Sequence, residues 1–199
     1  MKKSFLALMC MATLLACKKN ETTATETYTD STEIVNDSDT LLTSDSLVVG
    51  DSSVDLSSSD KSFADDAARG SLLEVTLGKL AVEKGSNAQV KAFGEMMSKD
   101  HSKASDELKS WAASVGYNLP VALNNNEQRK HDDLKAKSGA EFDREYMDLM
   151  VEHHKETVNK FEKTSSNGDN AQLKSWATSK LPTLKAHLTQ AEEIEEAVK

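Results

Sequence analysis

Glu74, His101, His154 and His187 carry side chains that bind metal ions, and each recurs on what would be the inner face of a helix. Between Val90 and Val115, heptad spacing puts Val90, Gly94, Met97, His101, Ala104, Leu108, Trp111 and Val115 on one stripe, the face that a bundle helix turns toward its partners. A histidine thus stands where a leucine is expected. Glu74 shares a stripe with Phe63, Leu77 and Ala81, His154 with Met147, Val151, Val158 and Phe161, and His187 with Leu173, Ala177, Leu184 and Ile194. Helical bundles build metal sites in this way, from Glu and His on facing helices. A carboxylate in a core must be paired, neutralised or bound to a metal, so Glu74 calls for a partner inside. Three imidazoles and one carboxylate suit a transition metal ion such as Zn, Fe, Cu or Mn. The alternative is a structural polar core, with Glu74 bonded to His101 and His154 to a hydroxyl or water, which fixes packing without performing chemistry.

Other chemistry finds less support. The Glu-x-x-His pair of di-iron carboxylate bundles is missing, because Ser98, Val151 and Leu184 stand three places before the three histidines. Asp100 points about 100° away from His101 on a helix and is expected to partner a neighbouring helix. His153 lies beside its stripe, facing outward or toward a neighbour. Met96, Met97, Met147 and Met150 read as core filler, although clustered Met would favour Cu(I). No nucleophile-elbow, P-loop or dinucleotide glycine pattern occurs, so no catalytic residue is assigned.

The elements that must position these residues are helices. Residues 61–199 show helical period throughout and no alternating strand. The first helix is expected from Ser62, in capping-box relation to Asp65, to Gly85, and the second from Ser86 to Gly116. A small helix over Glu127 to Lys137 precedes a third long helix from Ser138, boxed by Glu141, to about Ser165, and a fourth runs from Asp169 to the end. The expected fold is all-α, an antiparallel up-down-up-down four-helix bundle with one small extra helix between the second and third long helices. With both hairpin turns at one end, Glu74, His101 and His154 lie within roughly 5 Å of one level, and His187 lies roughly 7 to 12 Å deeper. Pro182, inside the fourth helix, would then have to kink it to bring His187 in.

Ahead of this domain the chain changes character twice. Residues 1–17 have a basic start at Lys2 and Lys3, an apolar run too short for a permanent membrane helix, and Leu14-Leu15-Ala16-Cys17, which resembles a lipoprotein signal peptide with its lipobox. Cleavage before Cys17 and lipidation of its sulfur would anchor the protein to a membrane. With Cys10 removed, the folded part keeps no free thiol or disulfide. Residues 18–60 are rich in Thr, Ser and Asp, with two lysines against ten acidic residues, a net of −8 in a chain whose total is −9. Such a stretch buries too little apolar surface to order itself and reads as a disordered acidic tether. No basic stripe suggests nucleic acid.

Several of these positions combine into a recognisable pattern: Glu74 with Leu77-Gly78-Lys79-Leu80-Ala81, Asp100-His101, Gly139-x-x-Phe142-Asp143-x-x-Tyr146, His154, and Leu181-Pro182-x-Leu184-x-x-His187. From Phe63 to Lys199 the chain resembles a bacterial envelope family, often labelled "predicted outer membrane protein", within the ferritin-like superfamily of four-helix bundles. That resemblance implies the fold, a cell-envelope location at the outer membrane, and His154 rather than His153 as the motif histidine. It assigns no activity. Together the readings describe a lipid-anchored envelope protein whose helical domain holds a metal or cofactor, or else serves as a structural or protein-interaction module.

Overall fold

The computed structural model describes residues 55–199. The signal peptide, Cys17 and nearly all of the tether lie outside the described residues. Five helices and no strands make up the described part: α1 (Ser58–Lys84), α2 (Ala88–Ser114), α3 (Asn125–Lys135), α4 (Gly139–Asn167) and α5 (Ala171–Val198). None of them is long and apolar enough to cross a membrane.

The helix starts show which local signals prevail. α1 begins four residues before the expected Ser62, inside the stretch assigned to the tether, because Ser57 accepts the Asp60 amide at 3.1 Å and Leu56 is buried. α2 and α5 are capped by Asn87 and Asn170, one residue after the expected caps, each with Oδ1 accepting amides of its first turn. α3 has a complete capping box between Asn124 and Glu127. The box expected at Ser138 does not form, since Glu141 pairs with Lys137 at 2.6 Å instead. Gly116, at φ 68°, supplies the left-handed residue that ends the second long helix.

α1 packs chiefly on α2 and α4 on α5, while α1 also touches α4 and α2 touches α5. Two buried aspartates fix the directions. Asp143, near the start of α4, accepts the Ser86 amide at 3.0 Å and the Asn87 amide at 2.9 Å, along with the Ser86 hydroxyl, in the α1–α2 turn. Asp60, near the start of α1, accepts the Asp169 and Asn170 amides at 3.3 and 2.8 Å in the α4–α5 turn. The two hairpin turns therefore sit at opposite ends. α4 starts beside the α1–α2 turn and runs the same way as α2, so the expected up-down-up-down order is corrected to up-down-down-up. The physical reason is the connection carrying α3, which is long enough to travel the length of the helices before α4 begins.

The interior divides into three layers. One apolar cluster includes Leu73, Leu77, Phe93, Met97, Phe142, Tyr146, Met147 and Ile194. A second includes Phe63, Leu108, Trp111, Phe161, Leu173 and Leu184. Between them along α2, α4 and α5 lies a polar layer of His101, His154 and His187, joined from α1 by Glu74 at the edge of the first cluster beside Leu73 and Leu77, all four buried.

Candidate metal centre

The corrected helix directions explain how the layer assembles. Asp60 and Asn170 share a level, and Glu74 and His187 stand about 21 and about 26 Å from it at about 1.5 Å per residue. His187 thus arrives at the height of the others without a displaced turn, and α5 continues through Pro182 as one helix. The deeper placement expected for His187 is corrected: it assumed both turns at one end.

His101 from α2, His154 from α4 and His187 from α5 each bring a ligand nitrogen to within 4.8 Å of the other two. Their ring centroids form a nearly equilateral triangle with sides of 5.8, 5.8 and 5.7 Å. His101 Nε2, His154 Nε2 and His187 Nδ1 are buried with no hydrogen-bond partner in the protein. The opposite nitrogens of two of these rings are held. His154 Nδ1 donates to the Met150 carbonyl at 2.9 Å, and His187 Nε2 donates to Asp100 Oδ2 at 3.2 Å. Each of those bonds fixes a tautomer whose free nitrogen carries a lone pair. A carboxylate behind a ligating imidazole, as Asp100 stands behind His187, is the usual outer support of a metal ligand.

Glu74 belongs to the layer but not to the triangle. Its Oε1 accepts from His153 Nδ1 at 2.7 Å and lies 3.5 Å from His154 Nδ1, on the side of that ring turned away from its unpartnered nitrogen. The expected Glu74–His101 pair is therefore replaced by Glu74–His153. His153 turns toward α1 because it precedes His154 by one residue and projects about 100° around α4, onto the seam with α1. Sequence spacing gave His153 no role, although a buried carboxylate without an inner partner at its own stripe was the signal that an adjacent, off-stripe histidine would answer it.

The charges are arranged consistently. Burial alone would raise the Glu74 carboxyl, but the neighbouring His154 ring, the His153 hydrogen bond and the nearby His101 outweigh it and hold the group well below the usual carboxylate range. Burial pushes His101 down to about 4, with Glu74 opposing and His154 and His187 adding to the fall. His187 is pushed down by burial and by His154 against the pull of Asp100. For His153 burial acts downward, yet the hydrogen bond and charge of Glu74 prevail and raise it. His101 and His187 therefore present neutral, metal-competent nitrogens at neutral pH.

A cavity of about 360 Å³ reaches this layer from one side. His101, His187, His153 and Asp100 line it, together with Phe63, Phe161, Trp176 and Leu184. His154 is fully buried behind them, edge-on to Phe93 at 6.3 Å between centroids.

Among the described residues, fold and site thus define an all-helical domain with a buried three-histidine cluster. Residues 50–194 match the family model described as "Domain of unknown function (DUF4142)", and the chain belongs to that family. No curated protein matches it significantly. Among solved structures it is similar in fold to a DUF305 fragment from Deinococcus radiodurans, at 11% identity and TM-score 0.63 over 71% of this chain and 98% of that one. It is similar likewise to CopM in its Cu(II)-bound form, at 16% identity and TM-score 0.60 over 70% of this chain and 97% of that one. A conserved hypothetical protein from Mycobacterium tuberculosis matches at 15% identity and TM-score 0.55, over 70% and 92% of the two chains.

Proposed function

We propose that this protein is a metal-binding module of the bacterial cell envelope, holding one copper-class ion on His101, His154 and His187. The observation that carries the reading is the convergence of three buried, unpartnered ring nitrogens. A lone pair buried without a partner costs about 1–3 kcal/mol, and three in one place are hard to reconcile with a polar core that serves packing alone. Nitrogen ligands at about 2.0 Å around a tetrahedral ion stand about 3.3 Å apart, so the cluster closes by at most about 1.5 Å on binding. Rotations of the three rings supply a movement of that size.

The donor set narrows the choice of ion. Glu74, proposed from its inner-stripe position as a ligand, acts instead from behind through His153 and His154, leaving three imidazoles and no carboxylate or thiolate. Such a set suits copper, zinc or iron better than manganese, which favours oxygen. CopM, solved in Cu(II)-, Cu(I)- and Ag-bound forms, supports copper as the first ion to test. Full-length protein purified without chelator and dialysed against copper should retain about one ion per chain. His101→Ala/His154→Ala should retain none while keeping its helical circular dichroism, and equal copper in both proteins would refute the assignment.

The envelope placement rests on Lys2, Lys3 and the Leu14-Leu15-Ala16-Cys17 lipobox, with the acidic tether holding the helical domain away from a membrane. Several acyl chains are required for stable residence there. Mass spectrometry of the membrane fraction should find a mature N-terminus at Cys17 carrying lipid; an unmodified Cys17 rejects the placement.

A further inference from the structure

We infer that the metal ion takes its remaining ligand from the cavity beside it, and that this ligand is a small carboxylate with an apolar body. The inference rests on the metal-binding reading and adds to it a second bound molecule. Three histidines leave a four-coordinate ion one position short, the arrangement that keeps a metal open to an outside ligand. That position has one way to face. His154 closes the back of the cluster against Phe93, whereas His101 and His187 both form part of the cavity wall. At about 360 Å³ the cavity far exceeds the room of about 30 Å³ that a water takes, and it falls in the range of small-molecule sites, which begins at about 300 Å³.

Charge and shape together give the chemical class. Three neutral imidazoles do not offset the charge of a divalent ion; the Asp100 carboxylate offsets it in part from behind His187, and the Glu74 carboxylate behind His154 is shared with His153, to which it is hydrogen-bonded. An anion is therefore the favoured fourth ligand. Charged side chains, among them Lys103, Lys130, Glu127 and Glu156, line part of the wall, and the apolar part is formed where Phe63 and Phe161 pack edge to face at 4.9 Å, Trp176 leans on Phe161 at 5.4 Å, and Leu184 lies one turn before His187. A ligand with its carboxylate at the metal would lay its body against these rings. Inorganic anions fill the first position only.

The test uses full-length protein loaded with copper(II) and azide as the reporter. Azide bound to copper(II) gives a ligand-to-metal charge-transfer band, which should appear and saturate. Benzoate and acetate should each abolish the band, benzoate at a concentration at least about tenfold lower, as burial of a ring against apolar wall predicts. Ala104→Phe, which builds a side chain into the cavity one turn beyond His101, should retain copper and lose benzoate's advantage. A chain that takes up no copper overturns the metal reading and this one with it. Copper uptake without an azide band, or equal displacement by benzoate and acetate, overturns this inference alone.

Discussion

The two apolar clusters on either side of the polar layer differ in how they end. The one built on Leu77, Phe93 and Tyr146 reaches the cavity only through Leu73 and is otherwise tightly closed: Phe142 and Tyr146 stack at 5.7 Å, and Gly78 and Gly94 bring the α1 and α2 backbones so close that a Cβ on Gly78 would lie 2.4 Å from the Gly94 carbonyl oxygen. The one built on Phe63, Phe161 and Leu184 gives part of its surface to the cavity. The difference teaches where rigidity and access reside. The closed side anchors His154 against Phe93 and buries Glu74, so that the back of the site is held by close packing. The open side lets an ion and its ligand reach His101 and His187.

Substitutions on the two sides should separate these roles. Leu77→Ala, deep in the closed cluster, should cost about 3–5 kcal/mol in a urea melt, against about 2 for Leu184→Ala, whose neighbourhood can collapse into the cavity. Equal losses would mean that both clusters are equally packed. Next in size is the response to acid. Burial pushes the His101 imidazole from its ordinary 6.5, which holds in the unfolded chain, down to about 4 in the fold, so the unfolded chain binds its proton first and stability falls as pH drops from 6.5 to about 4. The loss is on the order of 3 kcal/mol in the metal-free protein, and His101→Gln should remove most of that slope. Glu74, held below its ordinary range, adds stability present above about 4.5 that is lost as pH falls further. His153, raised by Glu74, has the opposite sign: its contribution is complete below 6.5 and is lost as pH rises through its folded value. Smaller again, Asp100→Asn should weaken copper binding about 10- to 100-fold, measured by chelator competition, with little change in the melt of the metal-free protein. Smallest is Lys155→Ala, whose exposed pair with Glu192 at 3.1 Å joins α4 to α5 and should shift stability by less than about 1 kcal/mol.

Much of this site is legible in the amino-acid sequence, for a reason that the residues make plain. His101, His154 and His187 interrupt inner stripes that are otherwise apolar, and a period of 3.6 residues places them inward whatever the helices' order. Helix direction was another matter. The contacts that decide it join Asp143 to Ser86 and Asp60 to Asn170, 57 and 110 residues apart in sequence, and nothing in the pattern near either aspartate separates such a cap from a first-turn acid. The pairing of Glu74 with His153 was hidden similarly, because periodicity reports which way a side chain points and not which neighbour's seam it meets. Asp100 was assigned to a neighbouring helix from its angle alone, and His187 of α5 is the residue it bonds.

Asp60 and Asp143 also bear on how the molecule comes apart. Each hairpin holds the acceptor for the other's turn, so neither is complete by itself. Pulling one away strips the amides of Ser86 and Asn87, or of Asp169 and Asn170, of their partner at the same moment that the polar layer is split. Partial melting therefore gains little entropy for what it forfeits, and the described domain should unfold in a single cooperative step. For the same reason two chains that exchanged hairpins would satisfy every cap again, making a swapped dimer the natural by-product of refolding at high concentration.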